Sequence, residues 1–95
     1  YSFQKGTYAR LTDGKDYLLD KSLEMLEELV DPAEYFRINR KFLVSLKCIK
    51  DVVAYSNSRL KLKVEHPVDE DLLVAREKVK AFKSWLEGEV DLPAK

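Results

Sequence analysis

The sequence predicts an α+β domain, mainly β, made of short antiparallel β-sheets with one amphipathic helix in the middle and one helix at the carboxyl end. Three observations predict this class. Asp13-Gly14 separates two strand-like runs, apolar residues alternate with a period of two from Phe42 onward, and two other segments have helical spacing. Strands dominate, so each helix is expected to lay its apolar stripe on a sheet.

The amino-terminal part predicts a β-hairpin. Residues 7–11 and 17–19 are strand-like, and Asp13-Gly14 lies between them. Asp-Gly between two such runs is a strong local signal for a hairpin, because glycine supplies the positive φ of a tight turn.

The first helix is predicted to begin after Asp20 or Ser22, since both residues can cap a helix. Its apolar stripe consists of Leu23, Leu26, Leu29 and Val30, and glutamates fill the other face. Asp31-Pro32 then predicts a new cap followed by a single turn over residues 33–36. This turn is expected to keep the acidic helix separate from Arg37.

The period of two predicts three strands that pair sequentially and antiparallel. The first contains Phe42, Val44 and Leu46, and the others cover residues 49–55 and 59–64. Residues 72–75 predict a further short strand. Pro67 follows the third strand and cannot donate to a central ladder.

The last helix is predicted from Val79, Phe82, Trp85 and Leu86, and Gly88 is expected to end it. Phe82 and Trp85 lie on this apolar stripe, which places them in the core. The domain is expected to cover residues 1–88, followed by a disordered tail over residues 89–95.

The composition is that of one globular domain. The chain has 95 residues, of which 45% are hydrophobic and 36% charged. Its apolar runs are too short for a membrane span or a signal-peptide core, and its first residue, Tyr1, indicates a piece of a longer protein. Cys48 has no second cysteine to pair with, so a cytoplasmic location is expected, with Cys48 as a small buried apolar residue.

The formal net charge is zero, but the charges are segregated. Residues 21–36 contain one lysine and five acids, whereas residues 37–50 contain five basic residues and no acid. A field of one sign steers partners more than the total charge does.

Catalysis and metal binding are not indicated. His66 and Cys48 are the single residues of their type, and a zinc site needs three or four ligands. The three glycines form no phosphate-binding loop, and the acids at 69–71 lack the spacing of a calcium loop. We therefore expect no enzyme activity and no cofactor, and His66 is interpreted as a solvated turn residue.

The basic segment 36–42 is the first candidate site. Phe36, Ile38 and Phe42 are expected to grip the core, so that the polar side chains between them leave the surface. Arginine can bind guanine bidentately, asparagine can bind adenine, and lysine suits phosphates. From composition alone, a DNA-binding loop and an ordinary charged surface are about equally favoured.

A second basic cluster consists of Arg76, Lys78, Lys80 and Lys83. Lys80 and Lys83 are best interpreted as a solvated helix face. Arg76 differs, because it lies where the last strand enters the last helix and its side chain can project beyond the sheet.

Four segments carry a family resemblance: residues 23–29, the block Phe36-Arg37-Ile38-Asn39-Arg40-Lys41-Phe42 with its following apolar strand, residues 74–78 and residues 82–86. In order and spacing, the chain resembles LytTR domains, the DNA-binding outputs of LytR/AlgR-type response regulators. The chain departs from many relatives, which have His at the position of Asn39, Ser at that of Lys41, Asn at that of Ser45 and Ser at that of Ala75.

The resemblance implies loops that enter successive major grooves on one face of a DNA duplex. Arg40 and Arg76 are then expected to contact the edges of DNA bases. Asn39, Lys41 and Lys78 are expected to contact the DNA backbone or to add secondary contacts. A third contact region is the loop after the first strand. The full set of expected DNA-binding residues is Lys5, Thr7, Tyr8, Arg37, Asn39, Arg40, Lys41, Arg76 and Lys78.

The resemblance also implies the partners: double-stranded promoter DNA with paired direct repeats, an upstream phosphorylatable receiver domain, and a homodimer on DNA. Strands that usually precede residues 1–3 are missing, which predicts an exposed sheet edge. The alternative is a protein-interaction or dimerisation module that uses this edge and the acidic face of Glu24, Glu27 and Glu28.

Overall fold

The fold was analysed in a computed structural model, in which residues 1–4, 6–11, 13–56, 58–67 and 70–88 are described. Lys5 and the predicted tail over residues 89–95 lie outside this range. The predicted α+β, mainly β class is confirmed, since eight short strands accompany two α-helices in the described part of the chain.

The strands are β1 (Ser2–Phe3), β2 (Gly6–Arg10), β3 (Asp16–Leu19), β4 (Tyr35–Arg37), β5 (Leu43–Ser45), β6 (Ile49–Tyr55), β7 (Arg59–Val64) and β8 (Leu72–Val74). The helices are α1 (Leu23–Leu29) and α2 (Val79–Leu86), and 3-10 turns cover Leu46–Cys48 and Arg76–Lys78. Three antiparallel sheets result, with strand orders β1-β2-β3, β4-β5 and β6-β7-β8.

The predicted amino-terminal hairpin is confirmed. β2 and β3 pair in a register that sets Tyr8 opposite Leu18, and Gly14 in the connecting turn has a φ of 82°. A side chain would be strained at this φ. The hairpin is bonded to the segment that follows β7, because the Arg10 guanidinium donates to the Pro67 carbonyl at 2.9 Å.

Helix α1 begins as predicted at the second of the two candidate caps. The Ser22 hydroxyl accepts a hydrogen bond from the Met25 backbone N–H at 3.2 Å, which satisfies one of the free donors of the first turn. Leu23, the first residue of α1, is buried.

The single helical turn predicted over residues 33–36 is wrong in its second half. The Asp31 carbonyl accepts from the N–H groups of Glu34 and Tyr35 at 3.0 Å, but the chain is extended from Tyr35 onward. Phe36 pairs with Val44, so residues 35–37 form a strand instead. Aromatic residues favour this outcome when a partner strand is available.

The predicted sequential pairing holds only in part. β6 pairs with β7, as expected, but β5 pairs back to β4. The further short strand β8 pairs with the other edge of β7. A 3-10 turn separates β5 from β6, and the Ser45 hydroxyl caps it by accepting from the Lys47 N–H at 3.3 Å. This turn lies between the two-stranded sheet β4-β5 and the first strand of the sheet β6-β7-β8.

The core lies between the two carboxyl-terminal sheets and α2, and both predicted aromatic core residues are in it. Phe82 is fully buried and contacts Phe36 edge to face at 5.4 Å between ring centroids. Trp85 is buried and its indole N–H donates to the Pro32 carbonyl at 2.9 Å. The other buried members are Ile38, Phe42, Val44, Leu62, Leu72 and Val74. Cys48 is only half-buried.

Across the described residues, no helix combines the length and apolar character needed to span a membrane.

Candidate functional site

The loop between β4 and β5 carries the first basic segment, and it is rigidly anchored at both ends. Ile38 and Phe42 are buried, as predicted, and the Ile38 N–H donates to the Phe42 carbonyl at 3.1 Å. Only three residues, 39–41, therefore bridge the two core anchors. A loop this short leaves the intervening side chains little freedom in where they emerge.

Asn39 supports the loop from within. Its amide oxygen accepts from the N–H groups of Lys41 at 2.7 Å and Phe42 at 3.1 Å, which closes a local turn. Its amide nitrogen donates to the Leu73 carbonyl at 2.7 Å. All three bonds are internal, and the side chain is half-buried. Asn39 thus joins the loop to β8.

Arg37 is buried, which corrects the expectation that every polar side chain of this segment leaves the surface. Its side chain is 8% exposed. The guanidinium donates to the carbonyls of Asn39 at 2.8 Å and Arg40 at 2.7 Å. It also bonds Glu27 at 3.1 Å and Glu24 at 3.4 Å. The acidic helix is therefore in contact with Arg37, and the predicted separation between the two is wrong.

The 3-10 turn Arg76–Lys78, which carries the first two residues of the second basic cluster, lies beside this loop. The Ala75 N–H donates to the Ile38 carbonyl at 2.9 Å, and the Lys78 ammonium donates to the Arg37 carbonyl at 3.0 Å. Two segments almost forty residues apart in sequence are thus fixed to each other by one backbone hydrogen bond and by one bond from a side chain to a backbone carbonyl. Lys78 is half-buried and takes part in this junction.

Arg40, Lys41 and Arg76 are exposed at this junction. The Arg40 guanidinium forms no hydrogen bond or ion pair within the described part of the chain. Lys41 pairs with Glu70 at 3.2 Å, and both side chains are largely solvated. Ion pairs of this kind contribute little stability and are easily exchanged.

Two shallow depressions flank the exposed arginines. One, of about 540 Å³, includes Arg40, Lys41 and Glu77 in its lining, and the other, of about 620 Å³, includes Arg76 and Glu77. Both are open, wide surface features that suit a large partner better than an enclosed small molecule.

The amino-terminal candidates lie next to the same loop. Thr7 and Tyr8 are half-buried in β2, and Lys5 is outside the described residues. The Tyr1 ring stacks between Tyr8 and Phe42, at centroid distances of 5.7 and 6.0 Å. The Ser2 N–H donates to the Lys41 carbonyl at 2.8 Å. The first sheet is therefore joined directly to the β4–β5 loop.

The electrostatic environment couples the acidic and basic segments. The pKa of Glu24 is lowered, first by a backbone N–H at the start of α1 and then by Arg37. Glu27 pairs with the same guanidinium, and its side chain reaches the depression beside Arg40. The sequence analysis predicts both charge clusters but not the ion pairs between Arg37 and the glutamates of α1. Two features of the sequence indicate these pairs: the clusters are adjacent in the chain, and Glu24 and Glu27 lie three residues apart on one helix face.

The other candidates form no site in the described residues. No group of three or more potential metal ligands occurs there, and His66 is exposed, as predicted for a turn residue. Lys80 and Lys83 are exposed on α2.

Comparison with known proteins decides between the functions that such a surface allows. The sequence matches the family of LytTr DNA-binding domains over residues 1–87. The chain belongs to the LytTR family. This LytTR domain is thus a DNA-binding domain, and transcription regulation is the role in which the family binds DNA.

A solved structure has the same fold. It is described as the LytTr DNA-binding domain of a methyl-accepting/DNA response regulator from Bacillus cereus, and it superimposes with a TM-score of 0.78 at 22% sequence identity. The match covers 90% of the LytTR domain and 75% of the Bacillus cereus chain. No curated protein matches the sequence.

Proposed function

We propose that this LytTR domain binds specific promoter sequences as the output domain of a response regulator, with Arg40 and Arg76 directed at base edges in the major groove. The observation that carries the proposal is the junction between their two segments. The Ala75 N–H to Ile38 carbonyl bond fixes the segments to each other, and both arginines are exposed beside it. Two arginines held on a rigid frame can be matched to bases at a fixed separation.

Arginine is the side chain best suited to this task. Its planar fork donates two parallel hydrogen bonds to N7 and O6 of guanine, and each such pair contributes about 1 to 3 kcal/mol of discrimination. Short loops between buried anchors keep the side-chain roots in place, which lowers the entropy lost on binding.

The remaining candidates receive supporting roles in this proposal. Lys41 is exposed and weakly paired, so it is assigned to a phosphate. Thr7, Tyr8 and Lys5 are assigned to a third contact region, because the first sheet is bonded to the same loop. Asn39, Arg37 and Lys78 are engaged internally and are assigned to holding the interface in shape.

The proposal includes three further features. The target consists of paired direct repeats, two copies of the domain bind per site, and an upstream receiver domain controls binding by phosphorylation. These features rest on the family resemblance. The alternative as a protein-interaction module through the acidic face has less support, because Glu24 and Glu27 are already paired with Arg37.

The test is selection of binding sites from a random duplex library, followed by titration of the wild type, Arg40→Ala and Arg76→Ala on the enriched sequence. Each substitution is expected to weaken binding by about 1 to 3 kcal/mol and to relax the preference at one base position. Lys83→Ala is the matched control, since Lys83 is exposed on α2. Absence of any enriched sequence, or equal effects of all three substitutions, would refute the proposal.

The number of copies per site is tested separately. Sedimentation with duplexes that carry one or two copies of the enriched motif is expected to give one bound domain per motif. A single stoichiometry on both duplexes would contradict the paired-site arrangement.

A further inference from the structure

Arg37 occupies an unusual place in the interface, since it is almost completely buried yet directly precedes a loop whose Arg40 and Lys41 are exposed. Its side chain is 8% exposed, whereas Glu24 and Glu27, the two carboxylates paired with it, are 74% and 48% exposed. A buried guanidinium must have its donors satisfied, because an unpaired buried charge is strongly unfavourable.

The donors of Arg37 are divided between two elements. Nε and Nη2 bond the carbonyls of Asn39 and Arg40 in the β4–β5 loop, at 2.8 and 2.7 Å. Nη1 bonds Glu27 of α1 at 3.1 Å, and Nη2 also reaches Glu24 at 3.4 Å. The planar group therefore fixes the direction of two successive peptide units relative to α1.

The second of these peptide units belongs to Arg40 itself. A carbonyl held at 2.7 Å restricts the ψ angle of Arg40 and hence the direction in which its side chain leaves the loop. The Arg37 carbonyl in turn accepts from Lys78, which belongs to the turn that begins at Arg76. Arg37 thus contacts both of the segments that carry an exposed arginine.

We propose that Arg37 is a positioning residue for base recognition: it sets the orientation of Arg40 through the loop carbonyls, and Glu27 and Glu24 of α1 hold Arg37 in place without contacting DNA. The inference rests on the proposed function of Arg40 and adds a second layer to it. Helix α1 then acts on sequence preference from behind the interface.

Lysine is the informative substitution at this position. It retains the positive charge and much of the aliphatic stem, but its single ammonium cannot bond two successive carbonyls and a carboxylate in the geometry of a guanidinium. Electrostatic attraction to phosphates is therefore preserved in Arg37→Lys, and only the geometry of the loop changes. Unfolding curves verify that the variant is folded at the temperature of the binding assay.

The experiment measures discrimination, defined as the ratio of affinities for the enriched duplex and for a duplex changed at the base pair that Arg40 recognises. It is measured for the wild type, Arg37→Lys, Arg40→Ala and the double variant. Arg37→Lys is expected to lower the discrimination by about tenfold, a typical part of what one bidentate contact contributes. In the Arg40→Ala background the same substitution is expected to change it less than about twofold, because residues that act as one unit are not additive.

Glu27→Ala provides a second variant in case Arg37→Lys does not fold. It removes the Nη1 partner at an exposed position and is expected to lower the discrimination by about threefold, again only when Arg40 is present. Lys80→Ala is the control, since Lys80 is exposed on α2.

The outcomes separate the two proposals. If Arg40→Ala removes the base preference but Arg37→Lys and Glu27→Ala leave it unchanged, or weaken all duplexes equally with and without Arg40, the positioning role is wrong and the proposed function stands. If the wild type has no base preference that Arg40→Ala removes, the proposed function itself is wrong and the inference fails with it.

Discussion

The side-chain amide of Asn39 donates to the Leu73 carbonyl at 2.7 Å, and this bond joins the β4–β5 loop to β8, an edge strand of the β6-β7-β8 sheet. The same side chain accepts from the Lys41 and Phe42 N–H groups. The asparagine amide has an oxygen that accepts hydrogen bonds and a nitrogen that donates them, and Asn39 uses both atoms. The shape of the basic loop thus depends on a neutral residue as much as on its charges.

Asn39→Ala is expected to destabilise the domain by about 2 to 3 kcal/mol, because three hydrogen bonds are lost and half-buried backbone groups lose their partner. Arg40→Ala, one residue further, is expected to change stability by less than about 0.5 kcal/mol, since its side chain is exposed. Urea unfolding followed by the fluorescence of the single tryptophan, Trp85, measures both. Equal stability of the two variants would contradict the structural role of Asn39.

Lys41→Ala is expected to reduce the salt dependence of DNA binding without altering base preference. A lysine that neutralises one phosphate contributes about 0.9 to the slope of log affinity against log salt, so the slope should become shallower by about one unit. Titrations of the enriched duplex at four salt concentrations measure it, with Lys80→Ala as the control. An unchanged slope would show that Lys41 stays paired with Glu70 and away from the phosphates.

The parts of the fold that follow from local sequence were predictable. The turn of the amino-terminal hairpin has a φ of 82° at its second residue, Gly14, a conformation that favours glycine. Ser22 caps α1 by accepting from the N–H of Met25, three residues further along the chain. The apolar stripe of α2 predicted the burial of Phe82 and Trp85 because helical spacing puts both on one face. Nothing beyond neighbouring residues is needed for these features.

The β4 strand was not predictable in the same way. Asp31-Pro32 favours a helical turn, and the structure has one as far as Glu34. Whether Tyr35 and Phe36 continue it or extend depends on a partner strand, and β5 is held as that partner by the capped turn at Leu46–Cys48. Tertiary pairing decides such short segments.

The orientation of Arg37 shows why the candidate site was only partly predictable. Alternation along β4 puts Phe36 and Arg37 on opposite faces. Phe36 packs on Phe82 of α2, and Arg37 meets Glu27 of α1, so the two faces are covered by different helices. The sequence indicates the alternation, but the covering of the second face is a property of the assembled fold.

Phe82→Ala is expected to destabilise the domain by about 3 to 5 kcal/mol, because Phe82 is fully buried and contacts both Phe36 and Trp85. Chemical denaturation monitored at Trp85 provides the measurement. Lys83→Ala, at the next position of the same helix, is the control, since its side chain is exposed. A cost below about 1 kcal/mol would contradict the central position of Phe82 in the core.

The amino-terminal hairpin predicts a specific loss of stability in acid. Two side chains donate hydrogen bonds to the Asp16 carboxylate and lower its pKa from its ordinary 3.8 to about 2. The guanidinium of Arg10 has the larger effect and the hydroxyl of Tyr1 the smaller one. Since the folded-state pKa is the lower one, the contribution is complete above the unfolded value of 3.8 and is lost as the pH falls from there through about 2.

Asp16→Asn is therefore expected to flatten the decline of the unfolding free energy between about pH 4 and pH 2, and to lower stability at neutral pH. Urea unfolding at a series of pH values measures this decline for the wild type and the variant. Asp20→Asn is the control, because Asp20 is exposed just beyond β3 and forms no ion pair within the described residues. Arg10 also donates to the Pro67 carbonyl, so its bonds to Asp16 and Pro67 together join the hairpin to the segment after β7. If Asp16→Asn retained the acid sensitivity of the wild type, the Arg10–Asp16 ion pair would not persist in solution.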